Sequence, residues 1–228
     1  MKMWIATPCI DSSMTAATHE SLLRLARATE IDFAHSLWNG DLVRVRSRAV
    51  HSFLETDSTH LLFVDSDVSF TPEAIIGMAR EDVPLIGTPY PKKRVKLGAY
   101  RAAPTEDEAR AALYDWPFVR LETMNPVGNR MEVAMLPMGL TMIAREPLER
   151  MVEAYRDTLT FSDMFHDMTS PRHSVALFML MLRGGQLLPE DYSFCVRYTE
   201  TTGQRPWLYL GAGSPADHTG AYTFKGDV

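Results

Sequence analysis

The sequence has little of what marks several large classes of protein. Its two cysteines, Cys9 and Cys195, are too few for a disulfide scaffold and lack the spacing of a zinc site. We therefore expect reduced thiols and a cytoplasmic protein. No stretch approaches the roughly 18 apolar residues that a membrane-spanning helix needs, and the best candidate, residues 175–182, is far shorter. We expect no transmembrane segment, while peripheral association with a membrane stays open.

Positive charge is also scarce. The chain has 23 Lys and Arg against 29 Asp and Glu, a net charge of −6, and its longest basic run is residues 92–94. Because nucleic-acid surfaces need clustered Lys and Arg, we expect no nucleic-acid partner. The 46% hydrophobic and 23% charged residues are ordinary for a globular protein, and 228 residues suit a single domain, 1–228.

The pattern of the first hundred residues predicts alternating strands and helices, and therefore a mostly parallel sheet. The predicted strands are 3–6, 31–37, 60–64 and 83–88, and the predicted helices are 15–28, one capped by Asp41 and one starting at Thr71.

The second half is less regular. We expect a hairpin over 119–134 that turns around 125–129, helices over 147–155 and 189–202, a turn at 184–185, a last strand at 207–210 and a loop over 157–173 that closes over the site. The predicted fold class is α/β: a Rossmann-like, mostly parallel central sheet with flanking helices and an antiparallel portion.

One motif indicates chemistry. The apolar run 60–64 ends in two carboxylates one residue apart, Asp65 and Asp67. Such hard oxygen ligands suit Mg²⁺ or Mn²⁺, which leave positions open for substrate phosphates. An alternative is that Asp67 forms a turn and Asp65 is a solvated neighbour.

This motif and several other segments follow one another along the chain in an order that resembles the GT-A-fold glycosyltransferases. The resemblance is to the small bacterial and phage-type members that are related to the large inverting family of nucleotide-sugar transferases. The segments are 45–48 (Val-Arg-Ser-Arg), 60–67 (His-Leu-Leu-Phe-Val-Asp-Ser-Asp), 89–92 (Pro-Tyr-Pro-Lys), Gly139 with 144–146 (Ala-Arg-Glu), 189–197 (Pro-Glu-Asp-Tyr-Ser-Phe-Cys-Val-Arg) and 218–220 (His-Thr-Gly). The resemblance implies a nucleotide-binding half, 1–100, and an acceptor-binding and catalytic half, 101–228.

The resemblance also implies roles for the acidic residues and the late histidine. Asp67, Asp65 and His218 would bind Mn²⁺ or Mg²⁺, Asp67 directly, while Asp65 could instead contact the ribose or a water on the metal. Asp191 would be the catalytic base that takes the proton of an acceptor hydroxyl, and Glu190 would orient that hydroxyl. Acidic residues in a first helical turn also stabilise the helix dipole, which is the alternative for this pair.

The remaining candidates would contact the donor, most simply a uridine diphosphate sugar. Ligands of open α/β sheets bind at the carboxyl ends of strands, which points to Thr7 and Pro8 at the nucleotide base. Asp11 or Asp32 could face the uracil or ribose. The other donor candidates are Arg46, which matches an arginine that these enzymes place near the donor, Lys92 and Lys93, and Gly139, which would let the acceptor or sugar approach the backbone closely. Lys92 and Lys93 have the alternative of an ordinary loop with a basic tip, and Asp11 and Asp32 that of ordinary loop or strand-end polar residues.

The sequence therefore predicts a metal-dependent glycosyltransferase that moves a sugar from a nucleotide-sugar donor to a hydroxyl acceptor such as a saccharide or glycoconjugate, with inversion. A retaining enzyme of the same fold remains an alternative. A nucleotidyltransferase is a second alternative, although residues 7–13 contain no glycine for a phosphate loop. A third is a non-catalytic nucleotide-sugar-binding module.

Overall fold

The computed structural model describes residues 1–9, 13–28, 32–162, 173–220 and 223–224, and shows an α/β fold. The strands are β1 (Lys2–Cys9), β2 (Asp32–Asn39), β3 (His60–Val64), β4 (Val68–Ser69), β5 (Leu85–Gly87), β6 (Pro126–Val127), β7 (Arg130–Glu132), β8 (Leu140–Ala144), β9 (Thr160–Ser162), β10 (His173–Val175), β11 (Met181–Arg183), β12 (Gln186–Leu188), β13 (Trp207–Tyr209), β14 (Asp217–Thr219) and β15 (Thr223–Phe224). The helices are α1 (Ala16–Ala28), α2 (Leu42–Leu54), α3 (Pro72–Arg80), α4 (Leu97–Ala102), α5 (Glu106–Ala112), α6 (Arg145–Leu159) and α7 (Glu190–Thr202).

Eight strands form the central sheet in the order β2-β1-β3-β8-β5-β13-β7-β6. β1 lies parallel to β2 and β3, and β13 lies parallel to β5. β8 is antiparallel to both of its neighbours, β3 and β5, so these two point the same way. The carboxyl ends of β1, β2, β3, β5 and β13 therefore meet at one edge, and the predicted mostly parallel sheet is confirmed. The antiparallel portion is β8 within the sheet and β7 with β6 at the end beyond β13.

The sheet is buried on both faces, which explains why its central strands read as unbroken apolar runs. In β3, Leu61 and Phe63 pack into one core cluster, whereas Leu62 and Val64 pack into another. The first cluster includes side chains of α2, α6 and α7, and the second includes side chains of α1 and α3. β8, from the second half of the chain, lies between two strands of the first half, so both halves share one sheet.

Several predicted element boundaries hold in the structure. β3 spans the predicted residues, and Asp41 caps α2 by accepting a hydrogen bond from the Arg44 backbone N–H at 3.0 Å. α3 begins with Pro72 in its first turn, and α7 begins at Glu190 after Pro189. No helix among the described residues is long and apolar enough to cross a membrane.

Other predicted boundaries are wrong. The helix expected over 147–155 spans Arg145–Leu159, and the predicted hairpin turns at Gly128, whose φ of +60° suits glycine, with 126–127 already in a strand. The strand at 207–209 is not the last, because β14 follows it and pairs with β4. Strands this short carry no readable period.

The loop expected over 157–173 is partly wrong. Residues 157–159 end α6, and 160–162 pair antiparallel with 173–175. Residues 163–172, which include Phe165 and His166, lie outside the described part of the chain, and the closing movement stays a prediction.

Arg145 joins two parts of this fold. Its guanidinium donates hydrogen bonds to four backbone carbonyls at the end of α2 and in the loop to β3, those of Phe53, Leu54, Thr56 and Ser58, at 2.7 to 3.2 Å. It also lies over the Phe53 ring, 4.6 Å from its centroid. The last carbonyls of a helix have no partner within the helix, so Arg145 satisfies groups that would otherwise need water.

We expect Arg145→Met to lower the free energy of unfolding by about 2–4 kcal/mol, because hydrogen bonds from a charged donor contribute about 1.5–3 kcal/mol each and are not additive. Urea denaturation measures this change. Arg24→Met is the control: Arg24 forms an exposed pair with Glu20 on α1, where about 0.5 kcal/mol or less is expected. Equal losses in the two variants would contradict the role given to Arg145.

Candidate active site

Most of the predicted site residues lie at the edge of the sheet where the parallel strands end. Asp65 directly follows β3, Asp67 precedes β4, and Gly139 precedes β8, whose first residue pairs with Val64. The start of α7 carries Glu190 and Asp191, and His218 in β14 pairs with Val68 next to Asp67. The fold thus brings together residues that are up to 153 positions apart in sequence, from Asp65 to His218.

A buried arginine links the two sides of this edge. The Arg46 side chain is 2% exposed, and its two terminal nitrogens each donate to a carboxylate, one to Asp65 Oδ1 and one to Glu190 Oε1, both at 2.8 Å. Burial alone would lower the pKa of Arg46, but the charges of Asp65 and Glu190 outweigh burial and raise it. Arg46 was predicted to contact the donor, yet in the structure both terminal nitrogens bind the protein's own carboxylates.

The neighbours of Gly139 leave no room for a side chain at this position. Its carbonyl accepts from the Asp65 N–H at 2.8 Å, and its N–H donates to the Tyr90 hydroxyl oxygen at 3.0 Å. A methyl group on Gly139 would lie 2.4 Å from the Tyr90 hydroxyl and 2.7 Å from Asp65 Oδ2. The close approach that the sequence assigned to acceptor or sugar is therefore made by Tyr90 and Asp65. Burial, with the charge of Asp65, raises the pKa of Tyr90 well above its ordinary value.

Asp67 faces a different set of cations from Asp65. Lys93 forms an ion pair with Asp67 Oδ2, and His218 Nε2 lies 3.3 Å from Oδ1. Burial alone would raise the pKa of Asp67, but the hydrogen bonds from His218 and Lys93 outweigh burial and lower it. The carboxylate is therefore ionised at neutral pH and available to a cation.

The orientation of His218 bears on metal binding. Its Nδ1 lies 2.9 Å from the carbonyl oxygen of Pro91, which can only accept, so Nδ1 carries the proton. When the ring is protonated at both nitrogens, Nε2 donates to Asp67 Oδ1, 3.3 Å away; when the ring is neutral, Nε2 carries a lone pair, and a cation shared with Asp67 would satisfy both groups. A backbone carbonyl behind a ligating histidine is also the usual support of a metal site.

The donor set fits a divalent ion that takes its remaining ligands from phosphates. The part of the chain that the structure describes contains no group of three or more His, Cys, Asp or Glu placed to hold a metal. Asp67 and His218 come together as predicted, whereas the Asp65 carboxylate is engaged by Arg46. Mg²⁺ and Mn²⁺ commonly bind through one or two protein ligands plus substrate phosphates, so two ligands are sufficient for that kind of site.

Asp191 has the electrostatics of a proton acceptor. Burial, helped by the adjacent charge of Glu190 and opposed by Arg46, raises its pKa to about 6. A general base is most effective when its pKa lies near the working pH. Glu190 shares the first turn of α7, but one of its oxygens is already bound by Arg46, so only the other is left for a ligand.

The remaining donor candidates are placed as follows. Thr7 and Pro8 are buried in β1, and Thr7 Oγ1 lies 3.0 Å from His35 Nε2. Lys92 is exposed, and its backbone N–H donates to the Asp115 carbonyl at 2.7 Å. Asp32 begins β2 opposite Lys2, at the amino end of β1, and its contact with the nucleotide stays a prediction. Asp11 lies outside the described residues.

No protein-family model matches the chain, and no curated protein matches it in sequence. Among solved structures it is similar to A197 from STIV, with a TM-score of 0.51 and 16% identity over 96% of this chain and 86% of that one. It is also similar to S. aureus TarS 1-349, with a TM-score of 0.46 and 14% identity over 94% of this chain and 59% of that one. A third neighbour is a glycosyltransferase involved in the glycosylation of the major capsid of PBCV-1, with a TM-score of 0.37 and 9% identity over 92% and 94%. At this identity the likeness to A197 concerns the fold.

Arg46→Met should lower the free energy of unfolding by about 3–5 kcal/mol, because it leaves Asp65 and Glu190 without their buried partner. Chemical denaturation of this variant measures the change, and Arg44→Met, on the exposed side of the same helix, should cost far less. The double variant Arg46→Met/Glu190→Gln should lose less than the sum of its single variants, since one uncompensated charge is gone. Strict additivity would show that the two side chains do not interact.

Proposed function

We propose that this protein is a GT-A-type glycosyltransferase that moves a sugar from a nucleoside diphosphate, with uridine as the favoured base, onto a hydroxyl acceptor. The observation that carries this proposal is the pairing of two sites across Arg46: a carboxylate with a pKa of about 6 on one side, and an Asp67–His218–Lys93 cluster able to bind cation and phosphate on the other. Sugar transfer needs both, because one group must accept a proton while another stabilises the departing diphosphate.

The donor side has a cleft suited to a diphosphate. The cleft measures about 310 Å³ and is lined by Ser13, Met14, Thr15, Ser66, Asp67, Lys93, Thr219 and Gly220. Its wall includes the residues just before α1, so the positive end of that helix faces the cleft together with the Lys93 ammonium. Both features favour an anion at this place.

Asp67 and His218 are the residues that would hold Mn²⁺ or Mg²⁺. When bound, such an ion neutralises charge that develops on the departing diphosphate. Lys93 now occupies Asp67 Oδ2, so it shares this carboxylate with the ion. With an ion held by Asp67, the Lys93 ammonium would be free to bind a phosphate oxygen. Lys93 would thus add a cation of the protein's own beside the proposed metal site.

The acceptor side is organised by the start of α7. Asp191 accepts the proton of the attacking hydroxyl, which favours inversion at the anomeric carbon because the base then lies opposite the leaving group. Glu190, fixed by Arg46, holds the hydroxyl in place through its remaining oxygen. Thr7, Pro8 and Lys92 keep the proposed role of lining the donor pocket around the nucleotide.

Asp191→Asn should reduce transfer by about 10²-fold or more while leaving affinity for the nucleoside diphosphate unchanged, because the amide keeps the shape and removes the base. In the wild type, kcat/KM should fall as the pH drops below about 6, where Asp191 becomes protonated. Steady-state kinetics across pH measures both effects. Glu200→Gln, an exposed acidic residue on the same helix, should leave the profile unchanged.

Equal losses of donor affinity and turnover in Asp191→Asn would make Asp191 a donor-binding residue, and a product that retains the anomeric configuration by nuclear magnetic resonance would overturn inversion. A second readout is independent of activity. The pKa of Asp191 is higher in the folded than in the unfolded chain, so folded protein binds more protons between about pH 4 and 6, and stability falls as pH rises through that window. Asp191→Asn should therefore stabilise the protein above pH 6, and not at pH 4.

Asp67→Ala and His218→Ala should each abolish Mn²⁺-dependent binding of uridine diphosphate without unfolding the protein. Lys93→Met should bind Mn²⁺ more tightly when no nucleotide is present, because a competitor for Asp67 is removed, and should bind the diphosphate more weakly. Isothermal titration calorimetry with the metal alone and with the diphosphate measures both. Lys2→Met removes a comparable Lys–Asp pair at the opposite edge of the sheet and is the control. Wild-type binding that is equal with and without Mn²⁺ would remove the metal site.

A further inference from the structure

A short hairpin before α7 exposes large apolar side chains. It comprises β11, β12 and the turn at Gly184 and Gly185, with Met179 and Leu180 leading into it, and we name residues 179–188 the leucine hairpin. It forms a two-stranded sheet separate from the central one. Leu182 and Leu187 lie directly opposite each other and are 73% and 66% exposed, and Met179 and Leu180 are 45% and 44% exposed. Exposed apolar side chains gathered on one small feature commonly mark an interaction site.

The leucine hairpin is held firmly against α7. The Met181 N–H donates to Ser193 Oγ at 3.0 Å, and that hydroxyl donates to the Leu188 carbonyl at 3.2 Å. The buried Arg197 donates to the carbonyls of Leu177 and Met179 at 2.9 and 2.6 Å. The backbone of the hairpin is therefore fixed to the helix that carries Asp191, and its leucines stay exposed because of this anchoring.

The charge of the leucine hairpin differs from that of the rest of the chain. The protein has a net charge of −6, yet the sole charged residue of 179–188 is Arg183. Arg183 pairs with Glu200 at 2.9 Å, but both side chains are about half exposed, and exposed pairs contribute little. A phosphate group next to the tip could therefore take this guanidinium at small cost.

The size and shape of the patch favour a lipid surface as its occupant. A standard protein interface uses about 20–30 residues on each side, whereas this patch has four large apolar side chains on a projecting hairpin. Insertion at a membrane interface needs no such area, because each buried CH₂ contributes by itself and the arginine remains at the headgroups. We propose that the leucine hairpin docks the protein on a lipid bilayer, with Leu182 and Leu187 inserted and Arg183 at the lipid phosphates.

This docking has a consequence for the acceptor, which rests on the proposed function. Asp191 and Glu200, the partner of Arg183, are nine residues apart on α7, which corresponds to about 14 Å along the helix axis. Because α7 carries both residues, a docked hairpin fixes the height of the candidate base above the bilayer. The acceptor class that fits is a hydroxyl compound attached to, or lying at, a lipid surface.

The test is binding of the full chain to vesicles of phosphatidylcholine containing about one third phosphatidylglycerol, measured by co-sedimentation without donor or acceptor. We expect the wild type to sediment with the vesicles. The partition coefficient of the double variant Leu182→Ser/Leu187→Ser between vesicles and water should be about tenfold or more lower than that of the wild type. Val127→Ser is the matched control, because Val127 is 54% exposed on another hairpin and should keep full binding. Arg183→Gln should weaken binding less than the double variant does.

Three results would overturn the proposal: no sedimentation of the wild type, equal sedimentation of the double variant, or a wild-type dimer that the double variant abolishes while neither binds vesicles. Leu182→Trp gives a second readout, since its emission should shift to shorter wavelength when vesicles are added. Because no sugar transfer is measured, failure here leaves the transferase proposal intact. Conversely, vesicle binding by a protein without transferase activity would reject the transferase and retain the docking.

Discussion

The rest of the site depends on one buried charge. Arg46 lies between Asp65, at the end of β3, and Glu190, at the start of α7, and both contacts are 2.8 Å. A guanidinium removed from water is expensive, and it is tolerated because two carboxylates pair with it. The cost of separating these three groups fixes α2, the sheet edge and α7 relative to one another. Asp191 has its position beside the sheet edge because its neighbour Glu190 is held there.

The two carboxylates of the Asp-x-Asp motif have different tasks for the same electrostatic reason. Asp65 is neutralised by the permanent, buried charge of Arg46, so it belongs to the framework. Asp67 is paired with Lys93 and lies 3.3 Å from His218, and because Asp67 and Lys93 line an open cleft, their pair can exchange with other groups. The exchangeable carboxylate is the one that suits the proposed metal ion. A motif of two aspartates therefore combines a fixed charge with a variable one.

α7 connects the chemistry to the surface. Its first turn carries Glu190 and Asp191, while Ser193 and Arg197, further along, hold the leucine hairpin through backbone carbonyls and an N–H. Residues on a rigid, well-packed element keep their geometry better than residues on a free loop. Phe194 and Cys195, fully buried in the core between them, fix the helix to the sheet. The candidate base and the leucine hairpin are thus held on the same helix.

Local properties of the sequence were sufficient for the α/β class, for β3, for the cap of α2 by Asp41 and for the start of α7, because burial on both faces, capping and helix initiation act over a few residues. The Asp-x-Asp motif identified Asp67 as a candidate, and the resemblance to GT-A glycosyltransferases added His218 and Asp191. They could not reveal that Arg46 reaches Glu190, 144 positions away, that β14 pairs with β4, or that Tyr90 and Asp65 occupy the space beside Gly139. Those contacts are made between segments that are distant in sequence, and strands as short as β4 and β14 are too short to show the hydrophobic periodicity that would predict them. The sequence determined which charges the protein has, and the tertiary structure decided which of them are paired, because pairing depends on distances that only the folded chain sets.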